Sequence, residues 1–359
     1  MAIDDTRRQW RNFQDQIIEN HGDIKGARIL CALTRDDPMR DCNGRKIAIV
    51  VDSSSSNAKS DPNNLRISAA VEINNHLISA AEARYPTSKP DLVTVVDFDS
   101  AARVVYRLGD PAGAHFSGID SNGGKSIAAG ISAAIYEITA DTRYTTRDRS
   151  GIIVLTDGEG NDSAAQLFQM ARASLHGIRV GFGFLDAVFF NGLESRGTSV
   201  SASNDIPLAV LEMGGVYSTI DSPEAQKAFV ELVLSQGLTG SDAGSDAMPL
   251  TKGLGIVGMV PGGNRTSYYR YVAKAGEDAT VSLAARSACV FNAELVDVAG
   301  GAFEDVKVLE YTAGADMTLG LAITATVSSG AADGEGAEEP KCVFSVQLAG
   351  GDALSAQSV

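Results

Sequence analysis

A short apolar segment of the chain ends in an aspartate that four serines follow. The segment KIAIVVD ends at Asp52, and Ser54 and Ser56 follow at every second position. Side chains two residues apart in an extended chain point the same way. One carboxylate and two hydroxyls that point together form a hard oxygen site, which suits Mg²⁺, Mn²⁺ or Ca²⁺. The spacing alone is equally typical of a serine-rich turn or a helix N-cap.

A second carboxylate follows another apolar segment. GIIVLTD ends at Asp157, and the glycine-rich loop SNGGKSIAAGI lies between the two segments in the sequence. Both apolar segments are typical of strands buried on both faces. In an open parallel sheet, ligands bind beyond the carboxyl ends of the strands, near the point where the strand order reverses. We therefore expect Asp157 to lie beside Asp52 at one edge of a sheet.

These elements resemble the von Willebrand factor A family and its metal-ion-dependent adhesion site. The resemblance covers about residues 46–237 and rests on D-S-S-S-S, the glycine-rich loop, T-D-G and the order in which they occur. It implies that a divalent cation, Mg²⁺ or else Mn²⁺ or Ca²⁺, is held by Asp52, Ser54, Ser56 and Asp157. It also implies that an acidic side chain of a protein partner completes the metal shell.

Lys125 stands where the family's loop commonly has a threonine that contacts the metal. A protonated lysine has three donors and no acceptor, so it cannot ligate a cation. Lys125 therefore turns outward and leaves Ser126 or water to complete the shell, or replaces the metal by pairing with Asp52 and Asp157, or stands at the rim and attracts an acidic ligand. We expect the first or the third arrangement; in the second, the cation is absent.

Apolar strands and amphipathic helices alternate between residues 46 and 237. This alternation predicts an α/β fold with a doubly wound, mostly parallel sheet and helices on both faces. Too few residues separate 91–98 from 102–108 for a crossover helix, so these two strands should form an antiparallel hairpin at the sheet edge. The other predicted strands are 46–52, 151–157, 178–185 and 215–220, and the predicted helices are 63–84, 125–140, 163–176, 206–213 and 222–237.

The helical pattern disappears after a stretch rich in Gly, Ser and Asp at residues 238–253, which we interpret as a linker. Seven short apolar strands separated by turn residues follow, and they predict an antiparallel β-sandwich at residues 254–350. Its Tyr268, Tyr269 and Tyr271 could offer aromatic faces to a carbohydrate, although alternating aromatics usually fill a core. Residues 1–45 are expected to be a helical extension that contains a disulfide, and residues 351–359 a tail.

The four cysteines form one pair near each end of the chain. Cys31 with Cys42, and Cys289 with Cys342, suit two disulfides within domains, although four cysteines allow three connectivities and four buried thiols are an alternative. The sequon at Asn264 is a candidate glycosylation site. The N-terminus lacks the apolar core of a signal peptide. We expect an extracellular or cell-surface protein whose leader is absent from this sequence, with a cytoplasmic location as the alternative.

Charge and composition exclude several classes of partner. The chain of 359 residues has a formal net charge of −15, which disfavours nucleic acid and anionic membrane surfaces. No apolar run is long enough to insert into a membrane. The leading hypothesis is a non-enzymatic binding or adhesion protein that engages a protein partner through the cation. The alternative is an intracellular subunit that partners an ATP-driven metal-insertion or remodelling complex, since the chain has no P-loop of its own.

Overall fold

The computed structural model describes most of the chain from residue 44 onward. The described residues are 11–12, 14–20, 25, 44–83, 89–143, 150–158, 178–185, 205–212, 215–234, 247–260, 266–287, 289–295, 298–303, 305–327 and 341–349. The predicted helix at 163–176, the tail at 351–359, Cys31, Cys42 and Asn264 lie outside these residues. Of the predicted N-terminal extension, residues 14–20 are helical.

From residue 44 onward, fifteen strands and five α-helices can be assigned in the part of the chain that the structure describes. The strands are β1 (Lys46–Asp52), β2 (Leu92–Phe98), β3 (Ala102–Gly109), β4 (Ser150–Thr156), β5 (Ile178–Leu185), β6 (Val216–Ile220), β7 (Ala247–Pro249), β8 (Gly255–Val260), β9 (Thr266–Ala273), β10 (Asp278–Ala285), β11 (Cys289–Leu295), β12 (Val298–Phe303), β13 (Val306–Thr312), β14 (Met317–Val327) and β15 (Cys342–Ala349). The helices are α1 (Asn57–Ser60), α2 (Leu65–Asn75), α3 (Ile127–Ala140), α4 (Asp205–Glu212) and α5 (Pro223–Leu232).

The first six strands form the mixed, mostly parallel sheet that the alternation predicts. Strands β2, β1, β4, β5 and β6 are adjacent and parallel, and β3 adds to β2 in the antiparallel sense. The predicted hairpin and the edge position of β3 are therefore confirmed. Every residue of β1, β2 and β4 is buried, because helices cover both faces and leave these continuous apolar runs no contact with water.

Helices pack on both faces of this sheet, as predicted. Ala69 and Ile73 of α2 share one buried cluster with Phe229 of α5, whereas Ile131 of α3 and Val210 of α4 belong to the cluster on the opposite face. Helix α2 is shorter than the predicted 63–84. It ends before His76, and residues 81–83 that follow form a turn.

The main sheet does not end at β6. Strand β8 pairs antiparallel with β6, with Tyr217 opposite Val257 and Thr219 opposite Gly255, and β15, β10 and β13 continue outward from β8. The ten strands therefore run in the order β13-β10-β15-β8-β6-β5-β4-β1-β2-β3. The sequence pattern placed a linker and then a separate domain here, and it gave no sign that one sheet passes through both regions.

A second sheet of five strands, β12-β11-β14-β9-β7, packs against this extension. The rings of Phe291 and Tyr269 meet Phe344 edge to face, with centroids 5.6 and 6.0 Å apart. The C-terminal region is thus β-rich and antiparallel, as predicted, but one of its two sheets belongs to the main sheet. Strand β7 forms from residues 247–249, within the predicted linker.

A disulfide joins Cys289 to Cys342, the first residues of β11 and β15. Its Cα atoms lie 5.7 Å apart, a normal separation for a disulfide. The predicted pairing in the C-terminal region is confirmed. Among the helices that the structure describes, none has the length and apolar character needed to cross a bilayer.

Candidate functional site

The candidate site lies where the strand order of the main sheet reverses. The chain forms β1 first, places β2 on one side of it and then returns to place β4 on the other side. Asp52 is the last residue of β1, and Asp157 directly follows the last residue of β4. The structure thus brings these two carboxylates together at the carboxyl edge of the sheet, the position at which open α/β sheets bind ligands.

The Asp-x-Ser-x-Ser loop turns its side-chain oxygens toward one point. Asp52 is fully buried, and its Oδ1 accepts a 2.7 Å hydrogen bond from the main-chain nitrogen of Ser54. The hydroxyl oxygens of Ser54 and Ser56 lie 3.0 Å apart, and Ser56 Oγ donates to Asp157 Oδ1 at 3.0 Å. Four of the five ligand candidates from the sequence, all except Ser126, therefore lie in one hydrogen-bonded cluster.

Lys125 extends into this cluster. Its Nζ pairs directly with Asp157 Oδ1 and lies 3.5 Å from Asp52 Oδ2. This is the arrangement in which the ammonium stands in for a metal, and it differs from the outward or rim position that we expected. Two buried carboxylates at one sheet end need a nearby positive charge, and Lys125 supplies it in this structure. Its side chain, 22% exposed, lies against Gly158, where a Cβ would overlap it.

The pKa of Asp157 is set by two opposed effects. Burial alone would raise it, but hydrogen bonds from Lys125, Ser60 and Ser56 outweigh burial and lower the pKa below its ordinary value. Asp157 therefore remains a carboxylate at neutral pH, which is the form that either an ammonium or a divalent cation requires.

Ser126 takes a different role from the one proposed. It is the N-cap of α3, and its Oγ accepts a 3.3 Å hydrogen bond from the main-chain nitrogen of Ala129. N-cap serines of this kind satisfy a donor that the first helical turn leaves unpaired. The described contacts of Ser126 do not include either carboxylate of the site.

Two hydroxyl groups of the site were not identified from the sequence. Thr156 Oγ1 donates to Asp52 Oδ2, and Ser60 Oγ donates to Asp157 Oδ2. Thr156 belongs to the T-D-G segment, so its place beside Asp157 offered a signal. Ser60 lies one helical turn after Ser56 and therefore faces the same way.

A buried arginine that was not identified from the sequence also holds the Asp-x-Ser-x-Ser loop. Arg66, fully buried, donates from Nε to the carbonyl oxygen of Asp52 at 2.7 Å and from Nη1 to Asp61 Oδ2 at 2.7 Å. Its Nη2 donates to the carbonyl of Asp120 at 2.6 Å and to Ser121 Oγ at 2.8 Å. One guanidinium thus joins the Asp-x-Ser-x-Ser loop to the start of the glycine-rich loop.

The glycine-rich loop is held against the Asp-x-Ser-x-Ser loop by main-chain hydrogen bonds. Ser55 N donates to the carbonyl of Gly123 at 3.2 Å, and Asn122 N donates to the carbonyl of Ser53 at 2.7 Å. Gly123 has φ of +97°, and a Cβ there would lie 2.5 Å from Asp99 Oδ2. Only glycine accepts both the backbone angle and the contact, so this residue lets the loop bring Lys125 to the site.

The donor set fits a hard divalent cation under one condition. Two carboxylates and two hydroxyls that converge are ligands that Mg²⁺, Mn²⁺ and Ca²⁺ accept. Across the described parts of the chain, no three His, Cys, Asp or Glu side chains gather closely enough to hold a metal, so hydroxyls would have to complete any shell here. The ammonium of Lys125 occupies the space between the carboxylates. The residues therefore fit a cation only when the Lys125 side chain leaves the cluster.

The tyrosines of β9 divide between core and surface. Tyr269 is buried, Tyr271 donates to Glu277 from a half-buried position, and Tyr268 is 49% exposed. The aromatic cluster that the sequence offered as a carbohydrate surface thus presents one broadly exposed ring.

Residues 47–159 match the family model of the von Willebrand factor type A domain. The match begins in β1 and ends two residues after Asp157, so it includes both carboxylates of the site. No curated protein matches the chain.

Solved structures resemble this fold at low sequence identity. A von Willebrand factor type A protein from Catenulispora acidiphila is 15% identical, with a TM-score of 0.38, and the alignment covers 81% of this chain and 59% of that one. The ArnB paralog VWA2 from Sulfolobus acidocaldarius is 10% identical, with a TM-score of 0.37 and coverage of 86% and 66%. The pilus adhesin SpaC from Lactobacillus rhamnosus GG is 14% identical, with a TM-score of 0.38 and coverage of 84% and 44%. This chain thus spans less than two thirds of the length of each.

Proposed function

We propose that this chain, which contains a von Willebrand factor type A domain, is a non-enzymatic binding or adhesion protein that engages an acidic side chain of a protein partner through a divalent cation. The observation that carries the proposal is the convergence of four side-chain oxygens at the switch point of the sheet. Ser56 Oγ lies 3.0 Å from both Ser54 Oγ and Asp157 Oδ1, and Asp52 completes the group. Von Willebrand factor A domains are typically interaction modules, which supports binding over catalysis.

Lys125 and the cation are alternative occupants of the same place. The ammonium pairs with both carboxylates, so a cation enters as Lys125 swings out along its flexible stem. Binding of Mg²⁺, Mn²⁺ or Ca²⁺ therefore replaces one positive charge by two. A bound cation would supply a positive centre to which a partner carboxylate can coordinate.

The charge of the whole protein makes this local centre important. A net charge of −15 repels acidic partners at long range. The acidic ligand therefore depends on a concentrated positive charge at the sheet edge, which a divalent cation supplies better than a lysine that is already paired.

The disulfide supports an extracellular or cell-surface location. Disulfides form and persist in oxidising compartments and are rare in the cytosol. The Cys289–Cys342 bond therefore favours the adhesion proposal over the alternative of an intracellular subunit that partners an ATP-driven complex.

Titration with Mn²⁺, followed by its electron paramagnetic resonance signal, tests the cation site. The wild type and Lys125→Thr should each bind one Mn²⁺, whereas Asp157→Asn should lose at least about 90% of the affinity. Asp278→Asn, which removes an exposed carboxylate on β10, is the matched control and should bind like the wild type. Absence of binding in both the wild type and Lys125→Thr would overturn the cation site.

Partner recognition can be tested with an immobilised peptide that carries one glutamate, compared with the same peptide carrying glutamine. The protein should bind the glutamate peptide in Mn²⁺ and release it in a chelator. Equal binding to both peptides would rule out an acidic ligand.

A further inference from the structure

A small pocket opens beside the candidate cation site, at the same edge of the sheet. One wall is the turn between α1 and α2, with Ser60, Asp61 and Asn63, and the other is the end of β6, with Ile220 and Asp221. Its volume is about 90 Å³. Ligand pockets are typically about 300–1,000 Å³, so this one is several times smaller. The pocket is thus of a size for a single side-chain head group.

The two aspartates of the pocket differ in charge balance. Asp61 accepts hydrogen bonds from Leu65 N at 2.7 Å and from Arg66 Nη1 at 2.7 Å, and its ion pair with Arg66 is buried. Asp221, by contrast, forms no ion pair with any residue that the structure describes. The charge of Asp61 is therefore neutralised from within the protein, and the pocket keeps the one negative charge of Asp221.

Asp221 is partly withdrawn from water. Burial, with the nearby Glu224 carboxylate as a smaller contribution, raises its pKa above the ordinary value, against hydrogen bonds that lower it. A carboxylate in such a place gains from an opposite charge more than an exposed one does, because water screens the interaction less.

Ser60 connects the pocket to the candidate cation site. It lines the pocket, and its Oγ donates to Asp157 Oδ2. Ser60 therefore borders both the pocket and the cluster that contains Asp157.

We propose that this pocket binds a basic side chain of the protein partner, with Asp221 as its counter-ion and with Leu65 and Ile220 against its apolar stem. The combined site then selects a partner that presents a basic side chain beside an acidic one. The pairing of the two side chains rests on the proposed cation site, but the binding of the basic group does not.

The pocket can be tested by NMR on the full chain, because the methyl groups of Leu65 and Ile220 line it and report its occupancy. The probes are blocked arginine, blocked lysine and blocked citrulline, which has nearly the shape of arginine without the charge. The measurements are made in a chelator, so that they do not depend on a divalent cation. Blocked arginine or blocked lysine should shift these methyl signals saturably, and citrulline should not. Whichever basic probe binds more tightly identifies the head group as guanidinium or ammonium.

Asp221→Asn should weaken binding of the basic probe at least about tenfold. Glu224→Gln, which removes an exposed carboxylate from the adjacent first turn of α5, should change it less than about twofold. Asp221→Ser provides a second variant, and the unfolding midpoint of each variant shows whether it folds. The proposed binding of a basic side chain would be overturned by any of three results. These are equal methyl shifts with blocked citrulline, unchanged binding of the basic probe in Asp221→Asn, and no shift with either basic probe. Retained Mn²⁺ binding in that case would leave the proposed cation site standing. Conversely, loss of Mn²⁺ binding with retained binding of the basic probe would overturn the cation site and leave the pocket standing.

Discussion

The guanidinium of Arg66 donates a 2.7 Å hydrogen bond to the main-chain carbonyl of Asp52. Asp52 is the last residue of β1 and the first of the Asp-x-Ser-x-Ser loop, so this bond joins the start of that loop to helix α2. The same guanidinium neutralises Asp61 in the wall of the neighbouring pocket. One fully buried guanidinium thus contacts a residue of each candidate site, the main chain of Asp52 in one and the carboxylate of Asp61 in the other.

Removal of Arg66 should destabilise the protein strongly. Arg66→Met leaves the buried carboxylate of Asp61 without its partner, and breaking a buried pair costs about 3–5 kcal/mol. The free energy of unfolding, measured in urea, should fall by that amount. Arg107→Met is the control, because its side chain is 85% exposed and its ion pair with Glu137 spans 3.8 Å; it should cost less than about 1 kcal/mol. Similar losses in the two variants would contradict the role of Arg66.

Replacement of Lys125 should strengthen cation binding. A cation can enter only after the ion pairs of Lys125 with Asp157 and Asp52 break, and two unit charges about 4 Å apart interact by about 4 kcal/mol at an effective dielectric near 20. A little over a third of that energy equals the roughly 1.4 kcal/mol that corresponds to a tenfold change in affinity. Lys125→Thr and Lys125→Met should therefore both bind Mn²⁺ at least about tenfold more tightly than the wild type, as measured by isothermal titration calorimetry.

The two replacements at Lys125 distinguish the effect of its positive charge from the effect of lacking a threonine hydroxyl at this position. Methionine removes the charge without adding a hard ligand, so a gain confined to threonine would show that the missing hydroxyl matters and the ammonium does not. Lys59→Met removes an exposed positive charge from α1 and should leave the affinity within about twofold.

The contribution of Glu277 to stability should disappear in acid. A hydrogen bond from Lys252, with others from Lys274 N and Tyr271, holds the pKa of Glu277 at about 2, below its ordinary 4.5. A carboxylate with a depressed pKa stabilises the folded state fully above its ordinary pKa, and this stabilisation is lost as the pH falls toward the folded value. The unfolding midpoint of Glu277→Gln should therefore lie below that of the wild type at pH 6.

The same two midpoints should converge between pH 4.5 and pH 2. Glu294→Gln removes an exposed carboxylate that has no ion pair among the described residues, and serves as the control. A difference between the wild type and Glu277→Gln that stays constant down to pH 2 would show that the hydrogen bonds of Glu277 do not depend on its charge.

Loss of the Cys289–Cys342 disulfide should lower the free energy of unfolding by about 2–4 kcal/mol, since the bond limits the freedom of the unfolded chain. The double variant Cys289→Ala/Cys342→Ala isolates this bond because it leaves the other two cysteines in place. Urea unfolding without reductant measures the effect, and mass spectrometry after alkylation should find Cys289 and Cys342 unmodified in the wild type. Rapid alkylation of either residue in the folded wild type would falsify the pairing.

The mostly parallel sheet of the first six strands and the hairpin at its edge could be predicted from local sequence patterns. Continuous β-branched runs such as that ending at Asp52 are found where helices cover both faces of a sheet, and the short connection before Ala102 allows only a hairpin. Both candidate ligands at strand ends, Asp52 and Asp157, followed from the same reasoning, since parallel strands end at one edge.

Other features could not be predicted from local patterns. The apolar pattern of β8 indicates a strand, but its pairing with β6 uses main-chain groups that every residue carries. The sequence therefore does not specify which strand lies beside β8. Arg66 lies in an amphipathic helix, where arginine is usually solvated, and its burial depends on Asp61, Asp120 and Ser121 meeting around it. The direction of Lys125 depends on a balance of buried charges that residue spacing does not express.

The bond between Cys289 and Cys342 has a mechanical consequence. Its loop of 53 residues contains β11 to β14, strands of both C-terminal sheets. When the chain is pulled from its two ends, tension crosses the sulfur atoms and bypasses everything between them. About 180 Å of extended polypeptide, at about 3.4 Å per residue, is thereby kept from unravelling. The C-terminal β-rich region is thus limited in how far it can stretch under load.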